Sequence, residues 1–237
     1  MRILAQGEGG IVVELGDAID DQVNARVHAL AAAIRARLPG AAVEVIPSYR
    51  SLLVLHDPVR TPRAGLVRRL RALAASLGDT PVADPHRVVR LPVCYGGPLG
   101  PDLEEVAAVT GMAAEAVVAL HAAPVYRVHL LGFTPGFPYL GGLDPALNVP
   151  RLDTPRSRIP AGSVAIGGGQ TGVYPIESPG GWRLIGQTPL RLFDPRRPRP
   201  FLLAAGDGLR FVPIDREAFD AAVRRVEAGA EPLELEP

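Results

Sequence analysis

Arg158 heads the turn Arg158-Ile159-Pro160-Ala161-Gly162-Ser163, where a planar guanidinium can fork onto a carboxylate or phosphate. Glu177 and Asp153 are the carboxylates best placed nearby for proton transfer or metal–phosphate work. His129, in Arg127-Val128-His129-Leu130-Leu131, leads into the same region and is the candidate general base. Gln170, Thr171, Tyr174 and Ser178 add neutral donors and acceptors, and Phe133, Phe137, Tyr139 and Trp182 supply flat walls. Such a set can orient a small polar substrate and move its protons. Each member also has a simpler reading. Arg151, Arg156 and Arg158 fit a solvated basic loop, His129 alternates with apolar neighbours like a barrel-surface residue, and each polar side chain alone fits a turn.

Gly167-Gly168-Gly169-Gln170-Thr171-Gly172 matches the G-x-G-x-x-G pattern. A dinucleotide site needs a helix directly after it, and Val173-Tyr174-Pro175 extends instead. A tight connection between strands accounts for these glycines most simply, with an anion-binding nest of Gly167, Gly168 and Gly169 amides as the functional alternative. The five histidines are dispersed and the only cysteine, Cys94, sits between Val93 and Tyr95, so no zinc set is expected. Cys94 reads as a small buried hydrophobe rather than a nucleophile.

Every basic residue counted among the 25 Lys+Arg is arginine. The chain therefore has no Walker-type lysine, no Schiff-base lysine and no Ser–Lys pair, and it cannot itself carry biotin or lipoate. Phosphates or carboxylates must be met by arginine, backbone N–H groups or neutral donors.

Two elements of organisation must position these residues. Residues 1–85 read as an α/β domain. A hairpin signal at Gly7-Glu8-Gly9-Gly10 precedes a helix from Asp20 carrying Val23, Val27, Leu30, Ala31, Ile34 and Leu38 on one face. Pro39-Gly40 stops it, strands follow at 43–46 and 52–55, and a second helix spans 62–77. Strand pairs interleaved with two helices predict a ferredoxin-like sandwich. The linker is Pro81-Val82-Ala83-Asp84-Pro85, and the second domain covers 86–228. A strand at 88–93 and helices at 102–109 and 113–122 come first. Short strands at 125–131, 163–166, 182–185, 189–193 and 209–213 then predict a closed or nearly closed β-barrel, followed by an amphipathic helix at 216–227. The acidic tail, 229–237, is expected to fray. All six phenylalanines and the only tryptophan lie beyond residue 130.

The 237 residues are 47% hydrophobic and 21% charged with zero formal net charge, a globular profile without an electrostatic footprint for nucleic acid or membrane. No apolar run reaches the ~20 residues of a membrane span. The N-terminus lacks a signal-peptide core and the lone cysteine fits a reducing compartment, so the cytoplasm is the expected location.

Long motifs carry a resemblance. Leu131–Gly142, Arg158–Ser163 and Gln170–Trp182, continuing to Ile185-Gly186-Gln187-Thr188-Pro189-Leu190, resemble the KipI/PxpB family, also described as allophanate hydrolase subunit 1 or the carboxyltransferase C/D domain. Pro47-Ser48-Tyr49-Arg50-Ser51-Leu52 and Pro92-Val93-Cys94-Tyr95-Gly96-Gly97 resemble it too, so the match covers nearly the whole chain. One departure is Gly168-Gly169, where the family often has a larger residue such as asparagine. The resemblance implies an N-terminal α/β domain, a C-terminal cyclophilin-like β-barrel, and a PxpC/KipA-like partner whose barrel pairs with this one. With a PxpA-like subunit these would form a heteromeric 5-oxoprolinase that uses ATP and Mg2+ to open 5-oxoproline to glutamate, this chain being inactive alone. In that reading Arg158, Gly167–Gly169, Gln170 and Tyr174 supply part of the site. The family also implies two alternatives: an inhibitor of a sensor histidine kinase, in which the aromatics are an adhesive surface, and a carboxyltransferase component of a biotin-dependent urea carboxylase/allophanate pathway.

Overall fold

The protein is described by a computed structural model covering residues 1–78, 81–82, 84–85 and 87–229. The expected acidic tail beyond Gly229 and Ala83 of the expected linker lie outside the described residues. The chain divides into two compact units, Met1–Asp84 and Pro85–Pro237.

In the first unit, strands β1 (Arg2–Gln6) and β2 (Gly10–Glu14) form the hairpin that the glycines signal. Helix α1 (Asp21–Arg37) begins where the Asp20 carboxylate accepts the Val23 N–H at 2.9 Å. Asp21 in its first turn and Arg35 and Arg37 in its last complement the helix dipole. Strands β3 (Glu44–Pro47) and β4 (Ser51–Leu55) and helix α2 (Arg63–Ser76) follow. Ile11, Val13, Val45, Leu52 and Val54 from the sheet meet Val27, Leu30, Ile34, Leu66 and Leu70 from the helices in one buried core. The antiparallel sheet runs β1-β2-β4-β3. A ferredoxin-like unit has the chain order β-α-β-β-α-β. Here the chain order is β-β-α-β-β-α, with β1 at the sheet edge beside β2. The Gly7–Gly9 turn makes the difference, because it pairs the first two strands locally instead of sending the first into a helix.

The second unit contains β5 (Val88–Tyr95), the helical pair α3 (Leu103–Thr110) and α4 (Ala114–Ala122), β6 (Tyr126–Leu131), β7 (Pro138–Gly141), β8 (Arg156–Ile159), β9 (Ser163–Gly167), β10 (Gln170–Val173), β11 (Ser178–Gly180), β12 (Arg183–Gln187), β13 (Gly208–Pro213) and α5 (Arg216–Glu227). Seven strands form the sheet β10-β9-β12-β5-β13-β6-β7, whose end strands β7 and β10 come back against each other. The result is a nearly closed barrel. Its interior is filled by Leu91, Val93, Val128, Val164, Ile166, Ile185, Leu209 and Phe211. A separate ribbon pairs β8 with β11.

The strand expected at 189–193 does not form. The chain bends after β12, and Phe193 makes only an isolated bridge to Phe201. Pro189 has no N–H to donate, and the alternating Leu190 and Leu192 fill the core without joining a ladder. Strands β7, β8, β10 and β11 are not among the expected ones, because Pro138, Gly141, Pro179 and Gly180 read as loop residues, Arg156 and Arg158 as a solvated basic loop, and Gln170–Gly172 as part of the glycine-rich connection.

His121 of α4 lies fully buried in the barrel, stacked on Phe211 with ring centroids 4.5 Å apart. Thr171 Oγ1–H donates to Ala165 O at 3.1 Å, so its oxygen accepts from His121 Nε2 at 2.8 Å, and Tyr95 O–H then donates to His121 Nδ1 at 2.8 Å. Burial pushes His121 down from 6.5 to about 3, so the folded barrel holds it neutral. The unfolded chain takes up a proton below pH 6.5 that the folded one refuses until about pH 3. This contribution to stability is complete above that window and falls as pH drops through it, by about 1.4 kcal/mol per unit. We expect His121→Gln, which retains hydrogen-bonding capacity, to flatten the loss of unfolding free energy between neutral pH and about pH 4.5 by about 3 kcal/mol. Urea titrations at both pH values measure it, and equal slopes in parent and variant would exclude His121 as the cause.

Candidate functional site

Glycine–proline segments gather five aromatics of the second unit, Phe133, Phe137, Tyr139, Tyr174 and Trp182, on one outer patch. Phe137 is its centre, 2% exposed, with ring centroids 5.6 Å from Phe133, 5.1 Å from Tyr139, 5.3 Å from Tyr174 and 5.6 Å from Trp182. Most of these contacts are edge-on or tilted, the arrangement that aromatic quadrupoles favour. Ile159, Ala165 and Leu184 complete a small core distinct from the barrel interior. Phe133, Phe137, Tyr139, Arg151, Tyr174, Gly180, Gly181 and Trp182 line an open pocket of about 140 Å³. The Tyr174 oxygen receives the Trp182 backbone amide, and burial raises the phenol above its usual range, so it remains a neutral hydroxyl.

Two backbone features build the mouth. Phe133 has φ +65°, the only described non-glycine residue in the left-handed region, and the residue is 60% exposed. A bulky residue held in that conformation costs of order 1–3 kcal/mol and marks a position constrained by its surroundings. Thr134 N–H bonds to Gly132 O at 2.8 Å and Gly132 N–H to Phe137 O at 3.1 Å, which closes the loop around Phe133. On the opposite wall, a Cβ at Gly167 would stand 2.7 Å from Trp182 Cδ1 and 3.2 Å from Arg151 Cγ. Only glycine lets both side chains lie across that strand.

The triple glycine is a hairpin. Gly167 pairs with Gln170, and Gly168 (φ +61°) and Gly169 (φ +74°) form the two-residue turn between β9 and β10. Gly168 N–H donates to Val149 O at 2.8 Å, so that amide is already used and the nest reading loses a donor.

The predicted residues separate accordingly. Phe133, Phe137, Tyr139, Tyr174 and Trp182 come together, and Gly167 supports them. Arg158 does not line the pocket but pairs with Glu177 at 2.7 Å, with side chains 76% and 52% exposed. A pair that solvated contributes little to stability, and each partner answers the other's charge. His129 is buried in β6 at a bulge, the extra residue between the Val128–Leu140 and Leu130–Tyr139 pairs. Thr171 faces the buried His121 network, and Ser178 is buried beside Ile176 O at 3.4 Å. Asp153 is exposed. Burial pushes the Cys94 thiol up, away from nucleophilic reactivity.

Arg151 joins the pocket although its sequence neighbourhood reads as a solvated basic loop. Its guanidinium lies 5.6 Å from the centroid of Trp182. Its spacing to Gly167 and Trp182 carries no local pattern, so periodicity cannot find it. Outside the pocket lining, Asp102 accepts both guanidinium nitrogens of Arg156 at 2.7 and 2.9 Å and the Leu184 N–H at 2.7 Å. That carboxylate ties β8 and β12 to the start of α3.

The geometry is that of a small aromatic recess with one cation at its rim. No carboxylate lines the recess, and no group of three or more His, Cys, Asp or Glu among the described residues could hold a metal ion, so these residues do not fit Mg2+; ATP and Mg2+ are expected at the level of the complex. No described helix is long and apolar enough to cross a membrane.

Comparison with known proteins gives consistent matches. The 5-oxoprolinase B subunit of Bacillus subtilis (strain 168) is 42% identical over 225 residues, covering 91% of this chain and 93% of that protein. The crystal structure of TTHA0988 aligns with a TM-score of 0.75 at 43% identity over 87% of this chain, which spans only 40% of that longer chain. The K. lactis urea amidolyase aligns over 99% of this chain and 16% of its own with a TM-score of 0.83, a likeness of fold at 21% identity. The family model described as carboxyltransferase domain, subdomain C and D, matches residues 1–203, and the chain belongs to that family.

Proposed function

We propose that this chain is the B subunit of a 5-oxoprolinase, which with PxpA-like and PxpC-like subunits in the cytoplasm opens 5-oxo-L-proline to L-glutamate. The observation that carries the reading is the 42% identity to the Bacillus subtilis B subunit across nearly the full length of both chains. The same reading takes the N-terminal unit as a ferredoxin-like sandwich whose edge strand comes first in the chain, and the barrel as cyclophilin-like.

A recess of about 140 Å³ is well below the roughly 300–1,000 Å³ of a complete ligand site. It suits one wall of a cleft that a second protein completes, and the 40% span of TTHA0988 is compatible with this module working beside further chain. The residues here can bind a small ring, turn its edges against aromatic faces, exclude water and offer the neutral Tyr174 hydroxyl. Opening an unstrained lactam needs an energy input, which in this reading comes from ATP held outside this recess. No step through the nucleotide is assigned to this chain.

The test is 5-oxoproline-dependent ATP hydrolysis with the chain alone, the partners alone and all subunits together. Turnover is expected only in the full mixture. Equal turnover without this chain, or none with every subunit present, would overturn the reading. Tight binding to a sensor histidine kinase without turnover would favour the inhibitor alternative instead.

A further inference from the structure

The recess carries a cation that the fold does not use. Three other arginines around it have partners: Arg156 is paired with Asp102, Arg158 with Glu177 and Arg183 with Glu105. Among the described residues Arg151 has no ion pair, although it is exposed and Asp153 is two residues away. Its position is nevertheless defined. Pro150 O, one residue before it, accepts Arg183 Nε at 3.0 Å, Leu152 N–H, one residue after it, donates to Gly181 O at 2.7 Å, and its stem crosses Gly167. The guanidinium rests above Trp182 with its charge unneutralised. Stacking on an indole leaves the edge of the guanidinium free to fork onto an oxyanion. A fixed, unpaired arginine at the rim of an aromatic recess has the chemistry of a carboxylate anchor.

We infer that the recess binds a small cyclic carboxylate, with Arg151 gripping the carboxylate and the aromatic walls taking the ring. This rests on the 5-oxoprolinase reading for the identity of the acid, which would be 5-oxoproline itself. The 140 Å³ recess has room for a single small ring. Arg151 thereby takes the anion-binding role that the sequence points to at Arg158, whose charge is already met by Glu177.

Trp182, the chain's only tryptophan, lies directly under Arg151, so intrinsic fluorescence reports this site without a label. The full chain is titrated with 5-oxoproline and with pyrrolidin-2-one, which keeps the lactam and lacks the carboxylate. We expect saturable change with 5-oxoproline and at least about 10-fold weaker response to pyrrolidin-2-one. Arg151→Gln should weaken 5-oxoproline binding by about 10- to 100-fold, the range of one charge-assisted contact, and Arg151→Lys by less. Because Arg151 makes no ion pair among the described residues, both variants should keep the parent's thermal unfolding profile. In the reconstituted complex, Arg151→Gln should raise KM far more than it lowers kcat. Equal binding of the two lactams, or an unchanged KM in the variant complex, overturns the assignment while leaving the 5-oxoprolinase reading intact. If the complex fails to turn over 5-oxoproline but Trp182 still senses small cyclic carboxylates through Arg151, the 5-oxoprolinase reading falls and the anion site stands. Absence of any titration in the isolated chain leaves the KM shift to decide.

Discussion

Asp102→Ala is expected to lower the unfolding free energy of the barrel unit by about 3 kcal/mol, the low end of the cost of breaking a buried ion pair. Asp102 is only 6% exposed and serves two elements at once, accepting Arg156 from β8 and the Leu184 amide from β12. Its removal leaves the buried Leu184 N–H without that acceptor, at about 1–3 kcal/mol. The Arg156 side chain retains 31% exposure and can recover water, which keeps the total from rising further. Arg156→Ala leaves a buried carboxylate facing a single amide, so the double variant should be less destabilised than the sum of the two. Urea unfolding followed by Trp182 emission reads this unit alone. A loss under about 1 kcal/mol would mean that the pair is not structural.

Gly167→Val is expected to reduce turnover of the reconstituted complex by about 100-fold, the scale of an ångström-sized displacement in a site. The added Cβ would stand 2.7 and 2.8 Å from Trp182 ring atoms, closer than atoms can remain. The indole cannot retreat inward, since it is 5% exposed and lies against Phe137. It must move outward and carry Arg151 with it. Tryptophan emission should shift to the red as the ring meets water, independently of any assay of turnover. Gly167→Ala should show the same change in smaller degree. Parent-like emission and turnover in the valine variant would show that the wall has room to adapt.

Local pattern makes much of this readable. The Asp20 cap, the Pro39-Gly40 stop and the three-and-four spacing of Leu66, Leu70 and Leu73 act over a single helical turn, and they place α1 and α2. The aromatics of the recess stand out because Phe133, Phe137, Tyr139, Tyr174 and Trp182 occur in turn-rich segments with little other use for large rings. Charge is harder to place. Arg151, Arg156 and Arg158 are equivalent in sequence, and each finds its role only when the fold brings Trp182, Asp102 or Glu177 beside it. Glycine is ambiguous for the same reason: Gly168 and Gly169 serve a turn, whereas Gly167 serves a tryptophan fifteen positions on. His121 escapes sequence reasoning because nothing local distinguishes a buried histidine on an apolar helix from an exposed one.

The parallel pair at the middle of the barrel bears on how the chain is made. Among the described residues β5 opens the second unit and β13 is its last strand, yet they lie side by side, and β6 joins the rest of the sheet only through β13. On a ribosome, β5, β9, β10 and β12 have all emerged before Gly208–Pro213 appears. Until then the β6–β7 hairpin has no hydrogen-bonded route into the sheet. Until that moment only the packing of β7 against β10 holds Phe137 and Tyr139 near Tyr174 and Trp182, and the nascent chain keeps its aromatic patch less well covered. Such long-range closure is slow. A chain ending ahead of residue 208 would therefore lose the centre of its barrel rather than an edge, and should accumulate as aggregate instead of as a shortened domain.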